Sequence, residues 1–236
     1  MLSIAVILLV SYLIGSIPTS IIVSKWVKGI DIRDYGSGNA GGTNAFRVLG
    51  WKAGLFVTLV DMLKGVAVVL WVVGFFTYNQ LDKLPEMNKV VLQLLAGTAA
   101  IIGHVYTIFA DFRGGKGVST AAGIMFGIAP VTMAITLALF FAVMIVSRYV
   151  SLASMLAALS FPLIVALRKH IVGADGIDYE IQLFGSSHLI HDSLDTTLIV
   201  IGSFIALGII YTHRSNIQRL RLGTENRVNL FNRTRS

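Results

Sequence analysis

The sequence predicts an all-α membrane protein, a bundle of about seven transmembrane helices with the N-terminus outside, the C-terminus cytoplasmic and glycine-rich loops on the cytoplasmic side. Three observations predict it. Of 236 residues, 55% are hydrophobic and 13% charged, with a mean hydropathy of +0.78; a soluble domain carries about 25% charged residues. The apolar residues fall in charge-free runs suited to a hydrocarbon layer of roughly 30 Å, which takes about 20 helical residues. The net charge of +7 is spread unevenly between those runs. Soluble globules and disordered chains are excluded by this composition. The absence of cysteine excludes disulfide scaffolds, thiolate metal sites and cysteine nucleophiles. In a membrane protein a basic balance reports topology and anionic lipid first, so no nucleic-acid partner is expected.

Residues 1–24 form the first apolar run. It has no basic n-region, and no small-residue cleavage site follows Pro18, so it reads as a retained span rather than a signal peptide. Residues 53–77, interrupted by Asp61 and Lys64, form the second run and residues 90–110 the third. Residues 117–147 are too long for one crossing, since about 31 helical residues reach roughly 46 Å. They are one steeply tilted helix, or two short ones broken around Gly127 and Pro130. Residues 150–167 and 196–212 complete the set.

Charge decides the ambiguous run. If it holds two spans, the basic residues from Lys25 to Lys52, Arg113, Lys116, Arg148 and the tail arginines share one side. Only Lys83, Lys89, Arg168 and Lys169 lie opposite. The positive-inside rule then makes the first side cytoplasmic. A six-span count strands the basic tail on the wrong face. Residues 173–195, with Asp175, Asp178, Glu180, Asp192 and Asp195, read as a polar extracytoplasmic loop, and residues 214–236 as a basic cytoplasmic tail within one domain, 1–236.

Three clusters carry chemistry. After the first span comes Tyr35-Gly36-Ser37-Gly38-Asn39-Ala40-Gly41-Gly42-Thr43-Asn44-Ala45-Phe46-Arg47. Its glycines let backbone N–H groups converge on an anion, its Ser, Thr and Asn add neutral donors, and Arg47 offers a planar fork for phosphate. Gly36, Gly38 and Gly41 also match a dinucleotide fingerprint, but no strand precedes them. A phosphate-loop match fails because Gly42 stands where its lysine belongs.

The third span ends in the second cluster, where Gly103-His104 precede Phe109 to Thr120. Gly114-Gly115-Lys116-Gly117 opening a helix combines free backbone donors, the helix dipole and a cation. His104 is an ionisable group near a membrane interface. The third cluster runs from His213 through Asn216 and Arg219 to Glu225; the first three recur at helical spacing, and Glu225 is suited to holding an arginine. Asp61 and Lys64, three apart on the second span, read as a structural ion pair.

Together these motifs resemble the bacterial integral-membrane acyl-phosphate:glycerol-3-phosphate acyltransferases (PlsY family). The matching residues are Gly36-Ser37-Gly38-Asn39 with Gly41, Thr43, Asn44 and Arg47; Asp61 with Lys64-Gly65; Gly103-His104 with Phe109, Phe112 and Gly114 to Gly117; and His213, Asn216, Arg219-Leu220, Gly223 and Glu225. They occur in order from the first span to the tail. Residues 173–195 depart from the family pattern by their length and polarity.

The resemblance implies transfer of a fatty acyl group from a long-chain acyl phosphate to the 1-hydroxyl of glycerol 3-phosphate, giving lysophosphatidic acid and phosphate. It implies a multi-pass protein of the bacterial inner membrane, facing the cytoplasm, with membrane lipid around it, no cofactor, no metal and no obligate protein partner. Ser37, Arg47 and Lys116 are expected to hold phosphate, with the backbone of Gly114, Gly115 and Gly117 receiving the acyl phosphate. Asn39, Asn44, Asn216 and His213 are expected to orient glycerol 3-phosphate, helped by Gly38 and Thr43. Arg219 and Glu225 shape the wall, and His104 contacts a phosphate or hydroxyl.

Two other readings fit less of the chain. His170 and Asp175 match the His-x-x-x-x-Asp string of acyl-CoA-dependent glycerolipid acyltransferases, but they stand away from every anion cradle. An organic-phosphate transporter also needs a basic, glycine-lined site, yet the chain has no inverted repeat and its motifs gather at one face rather than the midplane.

Overall fold

The computed structural model describes residues 2–80, 89–173, 177–183, 186–192 and 196–228. Lys83, Asp175, Asp195 and the last two arginines of the tail, Arg233 and Arg235, lie outside them. Two compact units are present, Met1–Pro130 with Asp175–Ser193 and Val131–Ala174 with Leu194–Ser236.

In the first unit, α1 (Leu2–Gly15) and α2 (Thr19–Lys28) are separated at Pro18, which has no N–H to continue the ladder. Gly29 closes α2 in the left-handed region, and Lys28 Nζ donates to the Val48 carbonyl at 2.7 Å. After a short 3-10 turn (Ile32–Asp34) come α3 (Gly42–Leu49) and α4 (Trp51–Ala67). A π-helical segment (Val68–Val72) leads into α5 (Val73–Gln80), and there the buried Gln93 donates to the Val69 carbonyl at 3.0 Å. Then follow α6 (Lys89–Val105) and α7 (Val118–Ile128).

Helices in lipid gain nothing from burying apolar surface against one another, so small residues set their closest contacts. A Cβ on Gly65 would collide with the Thr120 carbonyl, and one on Gly123 with the Met62 backbone, which lets α4 and α7 touch. Gly15 against Ala100 and Gly103 against Tyr12 do the same for α1 and α6.

The second unit contains α8 (Pro130–Ser147), which begins at the boundary, α9 (Val150–Val172), α10 (Thr196–Thr212) and α11 (Arg214–Arg221). Helices α9 and α10 pack together, with Phe161 against Gly202, and Arg168 Nη1 donates to Thr132 Oγ1 at 2.6 Å.

The long apolar run breaks at Ala129–Pro130, between α7 and α8. Among the described residues five helices are long and apolar enough to cross a membrane, or six if the bent pair α10 and α11 is one span. The remaining apolar helix, α7, has only 11 residues. One expectation needs correction. The 173–195 segment is not simply a loop: β1 (Ile177–Leu183) and β2 (Ser186–Asp192) pair antiparallel as a hairpin. Strand pairing satisfies its backbone locally, which a hydropathy pattern does not register.

Candidate active site

The first glycine-rich segment is held from inside. Asn44, 1% exposed, donates from Nδ2 to the carbonyls of Ile32 (3.1 Å) and Tyr35 (2.9 Å), and its Oδ1 accepts the Ser37 N–H at 2.9 Å. Gly36 and Gly38 have φ of 64° and 72°, a region that L side chains rarely adopt. A Cβ on Gly36 would also collide with the Asn44 side chain. The segment therefore turns tightly over Asn44 and leaves the side chain of Ser37 part-exposed and those of Thr43 and Arg47 exposed. Among the described residues the Arg47 side chain makes no hydrogen bond or ion pair, so its guanidinium is available.

The second segment folds against His104. The N–H groups of Gly114 and Gly115 donate to the carbonyls of Val105 and His104, both at 3.0 Å. These two donors, expected to meet an acyl phosphate, are already engaged. Gly117 caps α7 with φ 81°, placing Lys116 at the helix N-terminus. A Cβ on Gly115 would strike His104 Nε2 and come within 2.9 Å of the Ala40 carbonyl. The two glycine-rich segments thus meet at Gly115 and Ala40. Beneath them lies one apolar core, with Ile32 from the preceding 3-10 turn, Ala40 and Ala45 from the first segment and Ala110 from the second.

Below His104 is a buried ionic cluster. Asp61 Oδ1 accepts Lys64 Nζ at 2.7 Å and Thr19 Oγ1 at 2.9 Å, and lies 3.8 Å from His104 Nδ1. Lys64 Nζ also donates to the Ile17 carbonyl, freed by the break at Pro18. The ion pair was legible from its i,i+3 spacing; the approach of His104 and Thr19 was not, because no periodicity links α2, α4 and α6. A cavity of about 260 Å3 opens beside the segments, lined by Asp31, Arg33, Asp34, Gly38, Arg113 and Gly114. No sequence motif marks Asp31, Arg33 and Asp34 as neighbours of the two segments.

In the second unit the tail residues Asn216, Arg219 and Glu225 form a network with Ser151. The α11 helix ends in a Schellman turn, with Thr224 N–H on the Arg219 carbonyl and Gly223 N–H on that of Leu220. That reversal brings Glu225 back to α11 and α9. Its carboxylate accepts Arg219 Nε (2.7 Å), Asn216 Nδ2 (2.8 Å) and Ser151 Oγ (3.1 Å). Burial pushes the Glu225 carboxyl up, but the bonds from Asn216 and Arg219 outweigh it and hold the group below its ordinary value. His213 is 3% exposed, with Nδ1 2.7 Å from the Ile209 carbonyl. A carbonyl only accepts, so Nδ1 carries a proton and donates it to this bond.

Apolar helices long enough to cross a membrane, joined by glycine-rich, cation-bearing segments, define an integral-membrane protein. Over residues 5–223 the chain matches the family model described as glycerol-3-phosphate acyltransferase. It is 60% identical over 229 residues to the glycerol-3-phosphate acyltransferase of Chlorobium limicola, covering 97% of each chain, and 57% identical to that of Chlorobaculum tepidum with the same coverage. Crystal structures of PlsY (YgiH), an integral membrane glycerol 3-phosphate acyltransferase, superpose with TM-scores of 0.75 and 0.73, in the glycerol 3-phosphate and lysophosphatidic acid forms respectively. Both are 32% identical and cover 96% of each chain. The chain belongs to the glycerol-3-phosphate acyltransferase (PlsY) family and is an integral-membrane acyltransferase.

Proposed function

We propose that the protein transfers a fatty acyl group from a long-chain acyl phosphate to the 1-hydroxyl of glycerol 3-phosphate. The observation that carries this reading is the meeting of the two glycine-rich segments at Gly115 and Ala40. Both reactants bear phosphate, so two adjoining anion sites suit the reaction, while the acyl chain belongs in lipid.

Arg47 and Lys116 neutralise the two phosphates, Arg47 through its bidentate fork and Lys116 with the N-terminal dipole of α7. Ser37, Asn39 and Thr43 add neutral donors, and His104 contacts a phosphate or hydroxyl. Asn44 supports them indirectly, through the turn it holds. In the second unit Glu225, with Arg219, holds Asn216 and closes the turn that follows α11. The acyl carbon–oxygen bond to phosphate breaks as the bond to the glycerol 1-oxygen forms, and the departing phosphate takes the hydroxyl proton. Lysophosphatidic acid and phosphate result. An acyl phosphate is an activated anhydride, so positioning and charge neutralisation suffice without an obligatory general base.

The proposed topology keeps seven crossings, with the N-terminus outside and the site at the cytoplasmic face of the bacterial inner membrane. A span as short as α7, about 16 Å by helical rise, is supported by its surroundings: most of its residues, from Thr120 to Ile128, are buried in protein.

Purified protein in nanodiscs, given palmitoyl phosphate and labelled glycerol 3-phosphate, should form labelled lysophosphatidic acid. Product from palmitoyl-CoA but not palmitoyl phosphate defeats the donor assignment. Single cysteines introduced on each connection of the cysteine-free chain report the topology by their labelling from either side.

A further inference from the structure

Arg33, in the 3-10 turn that enters the first glycine-rich segment, reaches across to the second. Its Nε and Nη2 donate to the Asp31 carboxylate at 3.0 Å and 2.7 Å, and its Nη1 donates to the Ala110 carbonyl at 2.9 Å, 77 residues away. The Asp31 carboxylate also accepts the Arg33 N–H at 3.0 Å, capping the 3-10 turn. The Arg33 side chain is only 16% exposed, so water competes little for these bonds. Hydrogen bonding from Arg33 holds the Asp31 carboxyl below its ordinary value, against the opposing effect of burial.

The planar guanidinium gives one edge to a carboxylate and the other to a carbonyl, a division that a lysine ammonium does not reproduce. Its second anchor is well placed. Ala110 precedes Asp111 and Phe112, which hold φ of 55° and 56° and turn the chain toward Gly114. Arg33 thus grips the second segment where it reverses. Between the two anchored parts lies the cavity walled by Asp34 and Gly38 on one side and Arg113 and Gly114 on the other.

We propose that Arg33, held by Asp31, is a positioning residue for acyl transfer that sets the separation of the two glycine-rich segments and so the alignment of the two phosphate sites. This rests on the reading of both segments as phosphate sites. Misplacement of reactants by about 1 Å costs on the order of 10²-fold in rate.

The cysteine-free chain makes a direct test possible. Spin labels on Tyr35→Cys and Phe112→Cys, both at exposed positions, report the separation in nanodiscs. Arg33→Gln and Arg33→Lys should broaden the label-distance distribution relative to the labelled parent. In the unlabelled chain each should lower kcat at saturation of both substrates by about 10²-fold, with the melting temperature near that of the parent. Asp31→Asn, which keeps part of the bonding, should give smaller changes of the same sign and carries the test if the Arg33 variants do not fold. An unchanged distance distribution overturns the proposal, as does a broadened one with unchanged kcat. A raised KM for glycerol 3-phosphate with kcat retained also overturns it, because Arg33 then contacts substrate. If the parent forms no lysophosphatidic acid, the acyltransferase reading fails, while the label distances still decide whether Arg33 joins the segments.

Discussion

His104 Nδ1 lies 3.8 Å from Asp61 Oδ1, the same oxygen that accepts Lys64 Nζ at 2.7 Å. One carboxylate therefore serves a cation on its own helix and an imidazole on another, with side chains 2%, 5% and 8% exposed for Asp61, Lys64 and His104. The imidazole in turn packs on Gly115, which connects this buried cluster to the meeting point of the glycine-rich segments.

Removing one member of a buried ion pair strands its partner, at a cost of about 3–5 kcal/mol. Asp61→Ala and Lys64→Ala should each destabilise the detergent-solubilised protein by about that amount. Asp61→Asn with Lys64→Met should recover most of the loss, since no charge is then left alone. Thermal unfolding of the four proteins checks it.

Gly115→Ala should reduce turnover by on the order of 10²-fold, because its Cβ meets His104 Nε2 and the Ala40 carbonyl and must push the two segments apart. Gly208→Ala, where a Cβ meets nothing within 4 Å, should leave turnover unchanged. Equal losses in the two variants count against this account of Gly115.

Arg47→Lys keeps the positive charge and loses the fork. A hydrogen bond to a charged group contributes about 1.5–3 kcal/mol, so kcat/KM should fall roughly 10- to 10²-fold. Wild-type kinetics in Arg47→Lys exclude bidentate phosphate binding at this residue.

The lowered pKa of Glu225 makes its network sensitive to acid. Its folded value lies below its unfolded value, so its stabilisation is fully present above the ordinary carboxylate pKa. It is lost as the pH falls through the folded value. Glu225→Gln should therefore lower the melting temperature at neutral pH and show a smaller further drop on acidification below about pH 4. Parallel acid profiles for the two proteins contradict this.

Asn44 shows how far a motif can mislead about role. Its place among glycines suggested a substrate donor, yet both its amide hydrogens are spent on the carbonyls of Ile32 and Tyr35. Gly114 and Gly115 are similar, since their N–H groups close on α6. The residue types announce a tight polar turn in both cases. Whether a donor faces the ligand or the fold depends on which carbonyls lie beneath it, and those come from elsewhere in the chain. The Arg219–Glu225 contact was easier to read, being six residues of local chain closed by a glycine turn.

Local chemistry along the chain was sufficient for the membrane class, the division of the 117–147 run, the Asp61–Lys64 pair and the family, because each depends on hydropathy, the distribution of charge, helical spacing or motif order. Tertiary structure alone decided that His104 sits beside Asp61, that Arg33 reaches Ala110 and that Gly115 meets Ala40. Those contacts join residues 43, 77 and 75 positions apart. They are made by the way the helices cross, which small residues such as Gly65, Gly103 and Gly123 permit and which no single segment encodes.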